Sequence, residues 1–273
     1  MIVSRHGICH GEFLVPANSV DEVIERLDEI IQLTSLEGSR LGYFPALYRN
    51  VTLSARQGLT DGSFEDPERM ARLIILFANR YLEAYDLYAA GRSPTRSWQV
   101  AFDATRSWWP IVLQHLLLSM NAHINVDLGI AAARASPGDS FQDMKPDFDR
   151  INDLLAGMVD GVSRNLVEVW PLLRLLDWIA GRTDEVIINF KMKKAREAAW
   201  QVAVELAPLD ATAQLSVIER LDRDITQLGV HIRNPGLRVG AVLAVVRLGE
   251  RGTVSEIIGI LGRKATEVRR ALF

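Results

Sequence analysis

Apolar positions recur at helical spacing along nearly the whole chain, and the punctuation between them is that of helix ends. Asn18 and Ser19 precede Asp21 and Glu22, after which Val23, Leu27, Ile30, Ile31 and Leu33 follow on one face until Gly38. A second helix is expected over 39–55, with Pro45 bending it or splitting off its first turn. Asp66-Pro67-Glu68 reads as a cap with proline in the first turn, opening a long helix that stops at Gly91. A shorter helix fits 94–107, and Pro110 opens a central one that ends before Pro137-Gly138. A polar loop is expected over 136–146, then a long helical stretch to about Gly181 with Gly161 and Pro171 as kinks or boundaries. Thr183 caps another helix running to about Leu206, and the remainder divides into shorter helices broken at Gly229, Pro235-Gly236 and Gly252. Strand-like alternation bounded by Asn-Gly or Asp-Gly turns is absent. The expectation is an all-α protein: an N-terminal extension over 1–18 and a single multi-helix domain over 19–273, built around a buried polar central helix.

That central segment, WWPIVLQHLLLSMNAHINVDLGIAAA (108–133), is apolar enough to be buried all round, yet it carries two histidines, three amides and an aspartate. Burying such groups without partners costs roughly 2 kcal/mol or more each, so the segment must build a hydrogen-bond network or a reactive site. With His115 at zero on a helical wheel, His123 falls near ~80° and Asp127 near ~120°. Gln114, Asn121 and Asn125 fall together at ~240–280° as a separate amide stripe. His123 and Asp127 form an i,i+4 pair in which the carboxylate orients the imidazole and raises its basicity, or both ligate one metal ion. His115 lies two turns earlier. The amide stripe contains weak ligands and no general base, which suits holding other helices or a carbonyl-bearing substrate.

Other chemistry is sparser. In 72–88, Asn79, Glu83 and Asp86 share a face, and Glu83 offers a second carboxylate to a site around His123. A solvated helix face with an Arg80–Glu83 pair explains the same pattern. Asp103 and Arg106 are similar candidates. His6, Cys9 and His10 stand close together without preorganisation for a metal, and His231 reads as a turn or C-cap residue. The six tryptophans, Trp109 among them, suit helix crossings or the wall of an apolar pocket. No phosphate loop, GxSxG elbow, HExxH or paired CxxC is present, and no Asp-rich diphosphate–magnesium motif.

Composition narrows the classes further. Of 273 residues, 48% are hydrophobic and 24% charged, ordinary for a globular protein, and the net charge of -3 argues against general nucleic-acid binding. The arginine and lysine excess after Gly229 fits a solvated surface better than a phosphate track. One cysteine rules out an intrachain disulfide and fits a reducing compartment; without an N-terminal apolar core for a signal peptide, a cytoplasmic location is expected. A membrane span is not expected, since the central helix would place His115, Asn121, His123, Asn125 and Asp127 mid-bilayer.

The stretches GSRLGYFPALYRNVT (38–52), FANRYLEAYDLYAAG (77–91), PIVLQHLLLSMNAHINVDLGIAAA (110–133), DFDRIN (147–152) and AREAAW (195–200) together resemble a bacterial family, common in actinobacteria, catalogued only as a domain of unknown function. The resemblance covers nearly the whole chain and implies a cytoplasmic all-α protein without an agreed activity. HINVD is also loosely similar to the HxxxD of all-α zinc phospholipase C and P1-type nucleases. Five histidines and an N-terminal Met depart from that trinuclear-zinc pattern.

These readings converge on an enzyme acting on a small, largely apolar organic substrate by cyclisation, isomerisation or elimination. His115, His123 and Asp127 would move protons, and Asn121, Asn125, Asn79 and Trp109 would contact substrate. Two alternatives stand beside it. One is a metal-dependent hydrolase holding a divalent metal with His115, His123, Asp127 and Glu83; the other is a non-catalytic ligand-binding or interaction module. A homodimer is compatible with the sequence, which does not set the oligomeric state.

Overall fold

A computed structural model describes residues 15–136, 139–151 and 192–263. Within them the regular structure is helical, with no strand. Ten α-helices follow in order: α1 (Val20–Glu37), α2 (Tyr43–Thr60), α3 (Pro67–Ala89), α4 (Arg96–Thr105), α5 (Val112–Ala122), α6 (Leu128–Ala135), α7 (Met192–Leu206), α8 (Ala211–Arg233), α9 (Gly236–Gly249) and α10 (Val254–Leu261). The expected all-α domain is what forms. The expected helix around Gly161 and Pro171, the Thr183 cap, and His6, Cys9 and His10 lie outside the described residues.

The local signals act as their chemistry dictates. Ser19 accepts the Glu22 amide at 3.1 Å while Glu22 accepts the Asn18 amide at 2.8 Å, closing the start of α1. Gly38, at φ +62°, ends it by returning its N–H to the last carbonyls. Asp66 accepts the Arg69 amide with Pro67 in the first turn of α3. Of two other expectations, one holds: Pro45 stands in the first turn of α2, where its missing N–H costs nothing, and residues 40–42 form a separate 3₁₀ turn before it. Gly229 does not break a helix, because α8 runs through it: the glycine is buried where α8 crosses α4 and α5, and its own Cβ position lies 3.5 Å from Asn121 and from Val100. Packing at that crossing outweighs its weak helix propensity. The expected loop over 136–146 contains a 3₁₀ turn, Asp139–Met144.

Helices α5 and α6 form one continuous rod joined by a single π turn, His123–Asp127, in which the Leu128 amide reaches back five residues to the His123 carbonyl. The rod is the axis of the fold. Around α5, the apolar faces of α1, α2, the second half of α3, α4, α9 and α10 form one core, with Trp98, Tyr81 and Leu118 nearly inaccessible. Around α6, α7 and the start of α3 form a second core with Phe141, Phe148 and Trp200. The π turn lies where the two cores meet: Ala122 belongs to the first and Ile124 and Val126 to the second. Close approach at α6 requires glycine, since a Cβ on Gly129 would stand 2.8 Å from the Ala199 carbonyl oxygen of α7.

The segment Val112–Ala135 has the length and hydropathy of a membrane-crossing helix, and 89% of its apolar window is buried inside the fold. The other helices supply that burial.

Candidate functional site

Buried polar groups from three helices gather at the π turn. Asp127 is fully buried and satisfied from three sides: Trp98 Nε1 donates to Oδ2 at 2.8 Å, Arg80 Nε donates to Oδ1 at 3.2 Å, and His123 Nδ1 lies 3.2 Å from Oδ2. Helices α3, α4 and the rod each contribute one partner. An isolated carboxylate would not tolerate such a place, and the Arg80 guanidinium supplies the compensating charge. Arg80 stays partly exposed and also approaches Glu83, itself 56% exposed, at 3.8 Å. The result is a relay of charge from the surface inward: Glu83, Arg80, Asp127, His123.

His123 sits in an aromatic shell. Phe77 stacks on its ring at 3.7 Å and nearly parallel, while Tyr48 at 4.7 Å and Phe44 at 5.6 Å present their edges. Trp98 and Tyr81 complete the surround at 5.9 and 6.3 Å. Burial lowers the pKa of His123, outweighing the hydrogen bond and charge of Asp127, which act the other way. The ring is therefore neutral at pH 7. With Asp127 accepting from Nδ1–H, Nε2 is left as a bare lone pair with no hydrogen-bond partner among the described residues. The Tyr81 hydroxyl nearby is likewise buried without a partner among those residues. The phenol pKa values of Tyr48 and Tyr81 are driven well above the ordinary range by burial, so both stay protonated.

His115 belongs to a different cluster. Two helical turns earlier on α5, roughly 12 Å along the axis, it meets Tyr43 edge-on at 5.7 Å. Burial first, then the Arg40 and Arg247 charges, lower its pKa to about 3, against the Pro110 carbonyl, which favours the charged ring. Apart from that carbonyl, neither ring nitrogen has a hydrogen-bond partner among the described residues. Above it, Glu250 accepts the Val112 amide at 2.7 Å and pairs with Arg247, so a glutamate from beyond α9 completes the N-terminus of α5.

The amide stripe faces α8. Gln114 donates to the Ile232 carbonyl at 2.8 Å and accepts the Ile111 amide at 3.2 Å. Asn121 donates to the Ile225 carbonyl at 3.0 Å and accepts from Asn125 at 3.0 Å. Asn79 is on the outer side of α3, where it both donates to and accepts from the backbone of Ala17 at 2.8 and 2.9 Å. Trp109 is half exposed beside Trp108. The sequence candidates thus divide: His123 and Asp127 come together, with Glu83 reaching them only through Arg80. His115, Asn79 and Trp109 stand elsewhere. Among the described residues, no three His, Cys, Asp or Glu side chains gather into a group able to hold a metal ion.

Three contributors escaped the sequence reading. Arg80 was weighed only as a surface partner of Glu83, Trp98 only as a helix-crossing or pocket-wall residue, and Phe77 not at all. The spacing from Arg80 to the aromatic positions Phe77 and Tyr81 on α3 was the available signal.

A profile of a family of unknown function, DUF5995, matches residues 20–235, which hold every group of the buried cluster. The chain belongs to this family. No curated protein and no solved structure matches it.

Proposed function

We propose that the chain is a cytoplasmic enzyme that moves a proton on a small, largely apolar organic molecule, with His123 Nε2 as the base and Asp127 as the group that orients and stabilises it. The observation that carries this reading is the bare Nε2 lone pair, buried among aromatic rings while a carboxylate holds the opposite nitrogen. A neutral imidazole in an apolar surround is a competent acceptor, and a fixed carboxylate behind it stabilises the imidazolium formed on proton transfer. In an isomerisation, Nε2 would take a proton from one substrate carbon and return it to another, leaving the imidazole neutral again. Trp98 and Arg80 keep Asp127 from rotating away. Phe77, half-buried and lying on the imidazole, is the ring that must swing aside to admit substrate. We also take the stretch QHLLLSMNAHINVDLG, which carries His123 and Asp127, as a hallmark shared across a mainly actinobacterial family.

A second reading, a packing or binding module without turnover, draws support from the amide stripe, whose bonds run to the backbone of α8. His123→Gln separates the two. Wild-type protein incubated with a bacterial small-molecule extract should convert at least one compound to an isomer or elimination product by chromatography and mass spectrometry. The variant should leave it unconverted while keeping its helical circular dichroism. Conversion by both proteins alike, or by neither, overturns the catalytic reading.

A further inference from the structure

Helix α9 carries an apolar face that the other described residues leave exposed. Leu237, Ala241, Val245 and Leu248 follow one another at helical spacing and line one side of it. Leu237 is 94% exposed and Leu248 77%. On the opposite side Leu243 and Val246 are buried in the core around α5, so docking α9 to the fold already consumes the apolar surface that packing needs. Trp108 and Trp109, 53% and 51% exposed, pair with each other. Arg247 ties Trp108 to the same helix, donating from Nε to the Trp108 carbonyl at 2.7 Å and laying its guanidinium over the Trp108 ring at 4.7 Å.

The charge on α9 and the turns beside it is mainly positive. Between residues 229 and 256 the cations are Arg233, Arg238, Arg247 and Arg251, and the acids are Glu250 and Glu256, the latter accepting the Thr253 amide at the start of α10. Glu250 is buried and already committed to Arg247 and the Val112 amide, while Arg238 and Arg251 are exposed. The family match ends at residue 235, just before α9, so the face is carried on a segment beyond it.

We propose that this face docks on an anionic lipid surface. Exposed leucine and valine side chains gain by entering the acyl boundary, and an indole pair is suited to the headgroup level, with its ring in apolar surroundings and its N–H in wet ones. The arginines meet lipid phosphates, each near-surface cation strengthening the attachment. Pairing with a second copy would set two positive faces against each other, which an anionic bilayer does not. The proposal is independent of any proton transfer at His123.

The test is flotation of the full chain with vesicles of phosphatidylcholine alone or with about one-third phosphatidylglycerol. Wild type should float with the anionic vesicles only, and less as salt rises. The pair Leu237→Glu and Leu248→Glu, at exposed positions that leave the core intact, should weaken binding roughly tenfold or more. Arg238→Glu with Arg251→Glu should do likewise, and Trp108→Ala with Trp109→Ala gives an independent check. Three results would overturn the proposal: no flotation of wild type with anionic vesicles, leucine variants that float as well as wild type, or a wild-type dimer in sedimentation velocity that the leucine variants dissociate.

Discussion

Acidification should destabilise this protein through His115, and the size of the effect follows from its surroundings. In the fold, burial and two neighbouring guanidinium groups hold its pKa at about 3, against 6.5 for an ordinary imidazole. Above about pH 6.5 the ring is neutral in both folded and unfolded chains and contributes no pH dependence. As pH falls below that value, the unfolded chain takes up a proton that the folded chain refuses, so folding stability declines until the folded pKa is reached. At about pH 5 the gap is ~1.5 pH units, and at ~1.4 kcal/mol per unit the loss is ~2 kcal/mol. His123, also lowered by burial, adds in the same direction. Asp86 and Glu250, whose pKa values burial raises, act with the opposite sign as they protonate. These contributions are shared with a His115→Leu variant, so the difference between the two proteins isolates His115. The assay is urea unfolding of both at several pH values between about 7.5 and 5, and wild type should lose ~2 kcal/mol more than the variant over that range. Equal pH slopes for the two proteins would refute the account, whatever their stabilities at neutral pH.

Gly129→Ala should cost ~1–3 kcal/mol, because its methyl would press on the backbone carbonyl of Ala199, which has no rotamer to yield with; thermal unfolding measures it. Asp222→Ala should cost a similar ~1–3 kcal/mol. That carboxylate accepts the amides of Arg96 and Ser97 and the Ser97 hydroxyl at 2.6–3.0 Å, so the start of α4 should lose hydrogen-exchange protection first. Unaltered protection there would contradict a capping role.

What the sequence made legible was whatever depends on near neighbours. The Ser19 and Asp66 caps, the positive-φ stop at Gly38 and the burial of 110–133 all rest on residues within one or two turns. The His123–Asp127 pair was readable for the same reason, being four residues apart. The π turn was not: HINVD carries no local signal for it, and the partners that hold its Asp127, Trp98 and Arg80, lie on other helices. Asp222 and Asp147 escaped likewise. Each looks like an ordinary helical acid, yet Asp147 caps residues 65 and 66 across more than eighty positions, accepting their amides at 2.7 and 2.9 Å. Gly229 misled for a related reason, since its partners lie on α4 and α5 and not in its own helix.

The bond from Asn121 to the Ile225 carbonyl spans 104 positions, and that separation sets a timetable for synthesis. At ~5–20 residues per second, the central helix leaves the ribosome on the order of 5–20 s before α8 exists to accept its amides. Through that interval a segment apolar enough for a membrane keeps its amides on water and its α8-facing side open. Until α8 has been made, burial of that face in the wrong place competes with folding.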